Sequence, residues 1–568
     1  MAHRPHAAAS ATRAVSHHTG LTAGQASAPV VLNLPEKREN RKFTDVFFLN
    51  CWIIAVIILI SFIIYCSVLS DFARLKGYDE CGNICGRSNK ILNGIPCSGQ
   101  DFTHSPLLQV EETEEKRWKF HSYSRKCVAS CEEGYVKRGS FCFKKPENAK
   151  PEDLEEQDFE AFMTEYGITF ILASLVSLCL TLTLFFMLKI ITPIIVWTVL
   201  LLSGAIIVGV IWYEYYRIKT AEKPSNDGLI VMICGVIITF LWIFLLVYLF
   251  LVIRKIKVVT NILKAATDII FDVPAVLFVT LAVILMELII LVLFFYTSLI
   301  LYSSGVLSEY NETTYYFRYN AAMLFTIVFN IVVTVWTLII LFKLQYTIIS
   351  GVIVKWYFAK DKYNLHSPIM NNSIVVLKYH FGNVVFGSLF VHIVAVLKGV
   401  LTACTKRNMS DKNRCGRCMK RVKFCLLASS QYAFIETAMR GKQFRPSGKK
   451  AADVILRNHM DIISMNYISD WIIITAQFLI AVVSWSLIIA YRTMHISTHI
   501  PSGTTVFIVV FVITLCIPSS LFSVLEVVVD SILLCFCEDA TANDGKSRPY
   551  IMDPKLVASL KTYDKVKK

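Results

Sequence analysis

The 568-residue sequence predicts an all-α polytopic membrane protein of about ten transmembrane helices, with a disulfide-bearing extracellular loop between the first two. Three observations carry this prediction. First, 55% of residues are hydrophobic and only 17% are charged, against about 25% charged in an ordinary soluble domain. Second, the charges cluster and leave stretches of roughly 20 residues with one charge or none, the length a helix needs to cross about 30 Å of hydrocarbon. Third, the formal net charge of +15 resides in Lys and Arg beside those stretches. That placement marks the cytosolic side of a membrane and argues against a nucleic-acid partner.

Residues 1–44 are rich in Ala, His and Ser without apolar periodicity, and read as a disordered cytosolic tail. The first apolar run starts too late and is too long for a signal peptide. Arg41 and Lys42 precede it and put the N-terminus inside. Residues 45–70 are the first membrane helix, built on Phe47 to Leu69, and 71–165 form an extracellular cysteine-rich loop domain. The membrane-spanning core is expected over 166–530. Its second span runs from Gly167 to Ile190, and a Thr-Pro pair separates it from the third, Pro193 to Tyr213. The fourth, Leu229 to Ile253, ends in the inside mark RKIK. Residues 255–272 have a helical apolar period and predict an amphipathic helix on the inner leaflet.

The fifth and sixth spans, Pro274 to Tyr302 and about Asn320 to Gln345, enclose a loop that parity places outside. That loop holds the sequon Asn311-Glu312-Thr313, so Asn311 is the expected glycosylation site. Residues 376–403 are apolar enough to span, but 404–458 then carry 14 Lys and Arg against 3 Asp and Glu, an inside mark. Either a weaker span lies near Phe424 to Met439, or 376–403 enters and returns. The last spans are Trp471 to Tyr491 and Val506 to Val528, and 531–568 is a cytosolic C-terminal tail.

Six of the 17 cysteines fall in the 71–165 loop: Cys81, Cys85, Cys97, Cys127, Cys131 and Cys142. An even number outside the cell reads as a disulfide framework, whose 15 possible pairings the sequence leaves open. The spacing Cys127-x3-Cys131 leaves zinc as the alternative. In GYDECGNICG, 77–86, three glycines permit tight turns and two cysteines tie them to the loop, a clasp on top of the first span. The inner cysteines Cys404, Cys415, Cys418, Cys425, Cys535 and Cys537 read as plain thiols or lipidation sites, with zinc at Cys415 and Cys418 a further reading.

Several stretches resemble the choline transporter-like family, solute carrier family 44. They are GYDECGNICG, RKIKVVTNILKAATDII, KYHFGNVVFGSL, QYAFIETAMRGKQF and LEVVVDSILLCFCEDATANDG, in that order. The resemblance runs from about Phe43 to about Pro554. It implies a plasma-membrane, multi-pass transporter of choline or a related organic cation, ethanolamine included, with internal membranes as a further location. Its partners would be that cation and the lipid bilayer, with no nucleic acid and no cofactor or metal. The alternatives are a surface receptor or adhesion protein acting through the ectodomain, or a relative carrying another cation. No nucleophile elbow, phosphate loop or metal-hydrolase pair is present, so an enzyme is not expected.

Choline's trimethylammonium head has no N–H to donate and cannot lose its charge. Aromatic faces, worth up to about 2 kcal/mol each when desolvated, and a carboxylate are the groups that can hold it. The candidate substrate-binding residues are Trp242, Glu287, Trp336 and Trp197. Glu287 stands in the apolar run ILMELII, where an ionisable group marks a functional site or a buried partner. Trp242, Glu287 and Trp336 are expected to meet at mid-depth. Glu526 and Asp530 lie four apart near the inner end of the last span, and form an inner cation gate or pair with the basic 404–458 segment.

Overall fold

A computed structural model describes residues 34–91, 95–112, 123–144, 159–220, 227–251, 253–311, 314–359, 368–404, 424–457, 462–495, 503–544 and 547–552, with Leu32, Pro554 and Val557. Twelve helices carry the argument: α1 (Val46–Val68), α2 (Phe159–Thr220), α3 (Asp227–Leu251), α4 (Ile253–Asp272), α5 (Ala275–Ser303), α6 (Ala321–Phe358), α7 (Pro368–Val375), α8 (Phe381–Cys404), α9 (Tyr432–Arg440), α10 (Phe444–Arg457), α11 (Ile462–His495) and α12 (Gly503–Ala542). Among the described residues, seven helical stretches are long and apolar enough to cross a membrane. The chain is an all-α polytopic membrane protein.

The 62-residue α2 is two helices joined at Ile191, whose φ of −127° and ψ of 38° leave the helical region just before Thr192 and Pro193. Proline removes one rung of the hydrogen-bond ladder and crowds the preceding turn, so the chain bends there. In α5 the outward residues Leu281, Leu285, Leu288 and Val292 are exposed, as a lipid-facing surface requires. The 38 residues of α6 and 40 of α12 give lengths of roughly 57 and 60 Å, so both project beyond a 30 Å hydrocarbon layer. Their later halves, Leu344 to Val354 in α6 and Val524 to Cys537 in α12, are almost wholly buried and form the centre of the largest apolar core.

Three expectations are corrected here. The amphipathic α4 does not rest its apolar face on lipid. Ile256, Val259, Ile262, Leu263, Ala266 and Ile270 are buried against α2, α11 and α12, because a protein groove covers that stripe. No span occupies Phe424 to Met439. The helix there, α9, has nine residues, a rise of about 14 Å, and is too short to cross. The basic 432–457 region lies with the inner ends of α1 and α6, and the return from Cys404 falls outside the described residues.

The third correction concerns the tail predicted to be disordered over 1–44. Within 36–45 the chain is anchored at Glu36, Arg41 and Thr44, the last two buried: Glu36 N donates to Met439 O at 2.8 Å, and Thr44 N to Tyr379 O at 3.0 Å. The buried Arg41 guanidinium donates to Ala438 O at 2.6 Å and Glu36 O at 3.1 Å. Gly382 admits this segment, since a Cβ there would lie 2.4 Å from Thr44 O. The rest of the tail, residues 1–31, lies outside the described residues.

The ectodomain holds a four-stranded sheet of β1 (Leu107–Glu112), β2 (Tyr123–Val128), β3 (Tyr135–Arg138) and β4 (Phe141–Lys144), ordered β2-β1-β4-β3. Disulfides join Cys81 to Cys97, Cys85 to Cys127 and Cys131 to Cys142, so Cys81 and Cys85 each reach a different partner. Asp79 accepts bonds from the Cys81 and Asn83 amides and from the Asn83 side chain. Gly82, at a φ of +77°, abuts Leu307 in the hairpin β5 (Val306–Asn311) and β6 (Thr314–Arg318). Tyr315 N donates to Glu80 O at 2.6 Å. The motif therefore ties the sheet domain to the outer hairpin between α5 and α6, and not to α1 alone.

Candidate functional site

A seam of polar side chains runs along the facing surfaces of α5, α6 and α12. α5 climbs from the cytosolic side while α6 and α12 descend, so their polar positions can be followed by depth. Glu287, half-buried on α5, lies near Cys516 on α12. Toward the inside, Gln345 of α6 bridges the helices, donating to Thr280 Oγ1 at 3.2 Å and Ser523 Oγ at 3.1 Å. All three residues are buried.

Below this bridge the seam widens into a charged cluster with aromatic walls. Asp530 of α12 is fully buried. Its Oδ2 accepts from the Tyr346 hydroxyl at 2.7 Å and from Gln431 Nε2 at 2.5 Å, while Oδ1 has no hydrogen-bond partner among the described residues. Lys343, 5% exposed, sits one helical turn before Tyr346 and is acted on electrostatically by Glu526 and Asp530. Its ammonium lies 4.9, 5.4 and 6.0 Å from the ring centroids of Phe342, Tyr346 and Phe434. Asp470 of α11 interacts with Asp530 and Glu526 from a third side. Around it, Tyr432, Ser469, Ser531 and Asn466 each keep a buried polar atom without a partner among the described residues. Buried polar atoms are nearly always satisfied, so this concentration marks a place with hydrogen-bonding capacity to spare.

The helices place these residues by period. Lys343 and Tyr346 are three apart, and Glu526 and Asp530 four apart, so each pair lies on one face. α9, although too short to span, carries Gln431 at its N-terminal cap, Tyr432 and Phe434 against α6 and α12.

The four substrate-binding residues expected from sequence do not assemble. Trp336 turns to α8 and donates to Ser388 Oγ at 3.1 Å. Trp242 packs in the α2–α3 pair, where a Cβ on Gly204 would clash with its indole. Trp197 is half-buried at the edge of the main core. Only Glu287 lies on the seam. The pair Glu526 and Asp530 does lie at the inner end, and among the described residues the cation it acts on is Lys343, while residues 405–423 of the basic segment lie outside them. Lys343, Tyr346, Gln431 and Asp470 were missed. Lys343 did carry a signal, a lone charge in LIILFKLQY, but its position at the end of the sixth span reads as an ordinary inside mark.

Below the cluster, α9, α10 and α12 are latched by ions. Arg440 Nε meets Glu436 Oε1 at 2.6 Å and Nη2 meets Glu538 Oε2 at 2.8 Å, with Lys450 4.0 Å from Glu538. Burial raises the Glu436 carboxyl from 4.5 to about 7, the Glu538 charge adds to this, and Arg440 opposes it. Tyr357 donates to Asp539 at 3.1 Å, and the Ile551 amide donates to the same oxygen at 2.8 Å. Cys535 and Cys537 are fully buried, which rules against lipidation at these two positions. Cys425 is exposed, whereas Cys404, Cys415 and Cys418 lie outside the residues whose side chains are described.

A profile of the family described as plasma-membrane choline transporter matches residues 236–541, more than half of the chain. Choline transporter-like protein 1 of Torpedo marmorata is 24% identical, with 91% of this chain and 92% of that protein aligned. The mouse protein of that name is 23% identical over 91% of this chain and 92% of its own length. Human choline transporter-like protein 3 is 23% identical over 93% and 92%.

Proposed function

Because the chain belongs to the plasma-membrane choline transporter family, we propose that it carries choline or a closely related organic cation across the membrane. The observation that carries this reading is the buried cluster of Asp530, Glu526, Asp470, Tyr346 and Phe434, acidic and aromatic together, where α6, α9, α11 and α12 converge. A permanent cation needs both partners, since it can neither donate an N–H bond nor shed its charge. The path runs along the α5–α6–α12 seam, with Glu287 as an acidic station above the Gln345 bridge. Trp242, Trp336 and Trp197, packed against other helices, stand off this path. The working membrane is the plasma membrane, and Asn311, at the end of β5 on the outer hairpin, carries glycan.

Competition separates this reading from recognition by shape alone. Uptake of radiolabelled choline by cells expressing the chain is measured against ethanolamine and against 3,3-dimethylbutan-1-ol, the neutral carbon analogue of choline. Choline uptake above vector control, inhibited by the cations and not by the neutral analogue, supports the reading. Equal inhibition by the neutral analogue, or no uptake at full surface abundance, overturns it.

A further inference from the structure

We propose that the ammonium of Lys343 marks the position of the substrate's cationic head, and that lysine and substrate exchange there as alternative occupants. This rests on the transport reading above and adds the identity of the site's resident ion. Lys343 is a buried cation of the cluster, within cation–π range of Tyr346 and Phe434 and in the field of Glu526 and Asp530. Those are the two kinds of partner that a quaternary ammonium requires. A lysine inside an apolar bundle is costly unless its surroundings are built for a cation, so its presence identifies such surroundings.

The hydrogen bonds left over fit the rest of a hydroxylated ammonium ligand. Among the described residues, Asp530 Oδ1 is a free acceptor, and the Tyr432 hydroxyl and Ser531 Oγ are free donors or acceptors, all buried beside the cluster. The trimethylammonium head can use none of them, but a hydroxyl two carbons away can. Two cations held together in a low-dielectric site repel, so substrate entry requires the ammonium to withdraw, which its flexible four-carbon stem permits. A site occupied most of the time by its own lysine binds substrate with an affinity reduced by the fraction of time it is open.

The test is equilibrium binding of radiolabelled choline to the purified full chain in nanodiscs. Lys343→Met keeps length and bulk and removes the charge, and should bind choline about tenfold more tightly or better, with slower net uptake because nothing refills the emptied site. Lys343→Arg keeps a cation and should bind as the wild type does. A folded Lys343→Met protein with unchanged or weaker affinity overturns the exchange. Should that variant fail to fold, the wild type is labelled with a membrane-permeant acetylating reagent and Lys343 is followed by mass spectrometry. Saturating choline should change its labelling at least severalfold, and identical labelling overturns the proposal. If the wild type binds neither choline nor tetramethylammonium, the transport reading falls and the exchange with it. If it binds choline, loses binding in Asp530→Asn and is indifferent to Lys343→Met, only the exchange falls.

Discussion

Asp530 shows how much of this protein rests on single side chains. One of its oxygens takes two hydrogen bonds and the other takes none, in full burial. Asp530→Asn removes the charge at constant shape and should cut choline uptake at least tenfold at equal surface abundance. Preserved uptake would separate the cluster from the path. Glu436 gives a second test, in stability. Its carboxyl titrates near 7 in the folded chain against an ordinary 4.5, so folding favours the protonated form. The stabilisation is complete below about pH 4.5 and is lost as pH rises through about 7. Its size is on the order of 3 kcal/mol at most. Between pH 5 and 8 the wild type should therefore lose thermal stability relative to Glu436→Gln, and a relative gain over that window would contradict this assignment. The buried Cys535 and Cys537 should resist alkylation in the native protein while exposed Cys425 reacts, checked by mass spectrometry of labelled peptides.

At the scale of elements, the spans were legible because hydropathy and length report on the bilayer directly. α1, α5 and α6 begin within about a residue of the expected starts. The Thr-Pro break in α2 was legible for the same local reason. Where an apolar face finds its partner was not. α4 has the pattern of a surface helix and sits in a groove, and α9 has the apolar content of a weak span without the length. The packing of 36–45 was equally hidden, because it depends on carbonyls of α9, some 400 residues away, and on the missing Cβ of Gly382. Filling that space should undo the docking. Gly382→Val should open the chain after the buried Arg41 to trypsin in permeabilised cells, where the wild type is protected at that bond, and equal cleavage there would refute the docking. Outside, peptide mapping without reduction should recover Cys81–Cys97, Cys85–Cys127 and Cys131–Cys142, and a Cys81–Cys85 link would contradict the fold of the motif.

Across the whole molecule, the family could be read from dispersed motifs, whereas the buried cluster proposed as the site could be read only in part. Glu287, Glu526 and Asp530 drew notice because acids in apolar runs are conspicuous. Tyr346 and Gln431 did not, because nothing local distinguishes them and 85 residues separate them from each other. The CFCED stretch is specific for a structural reason: two thiols are fully buried, Glu538 latches Arg440, and Asp539 receives Tyr357 and the Ile551 amide. The latch, the charged cluster and the Gln345 bridge stack along α12, so the proposed cation site falls in the inner half of the molecule, opposite the disulfide-tied ectodomain. The measurement that tests this division most directly is initial-rate choline uptake by cells expressing wild type, Glu526→Gln, Trp336→Leu and Trp242→Leu at matched surface abundance. Loss of at least tenfold in Glu526→Gln, with both tryptophan variants within about twofold of wild type, is the expected result. Near-normal uptake in Glu526→Gln with collapse in the tryptophan variants would contradict it and move the cation site to the outer helices.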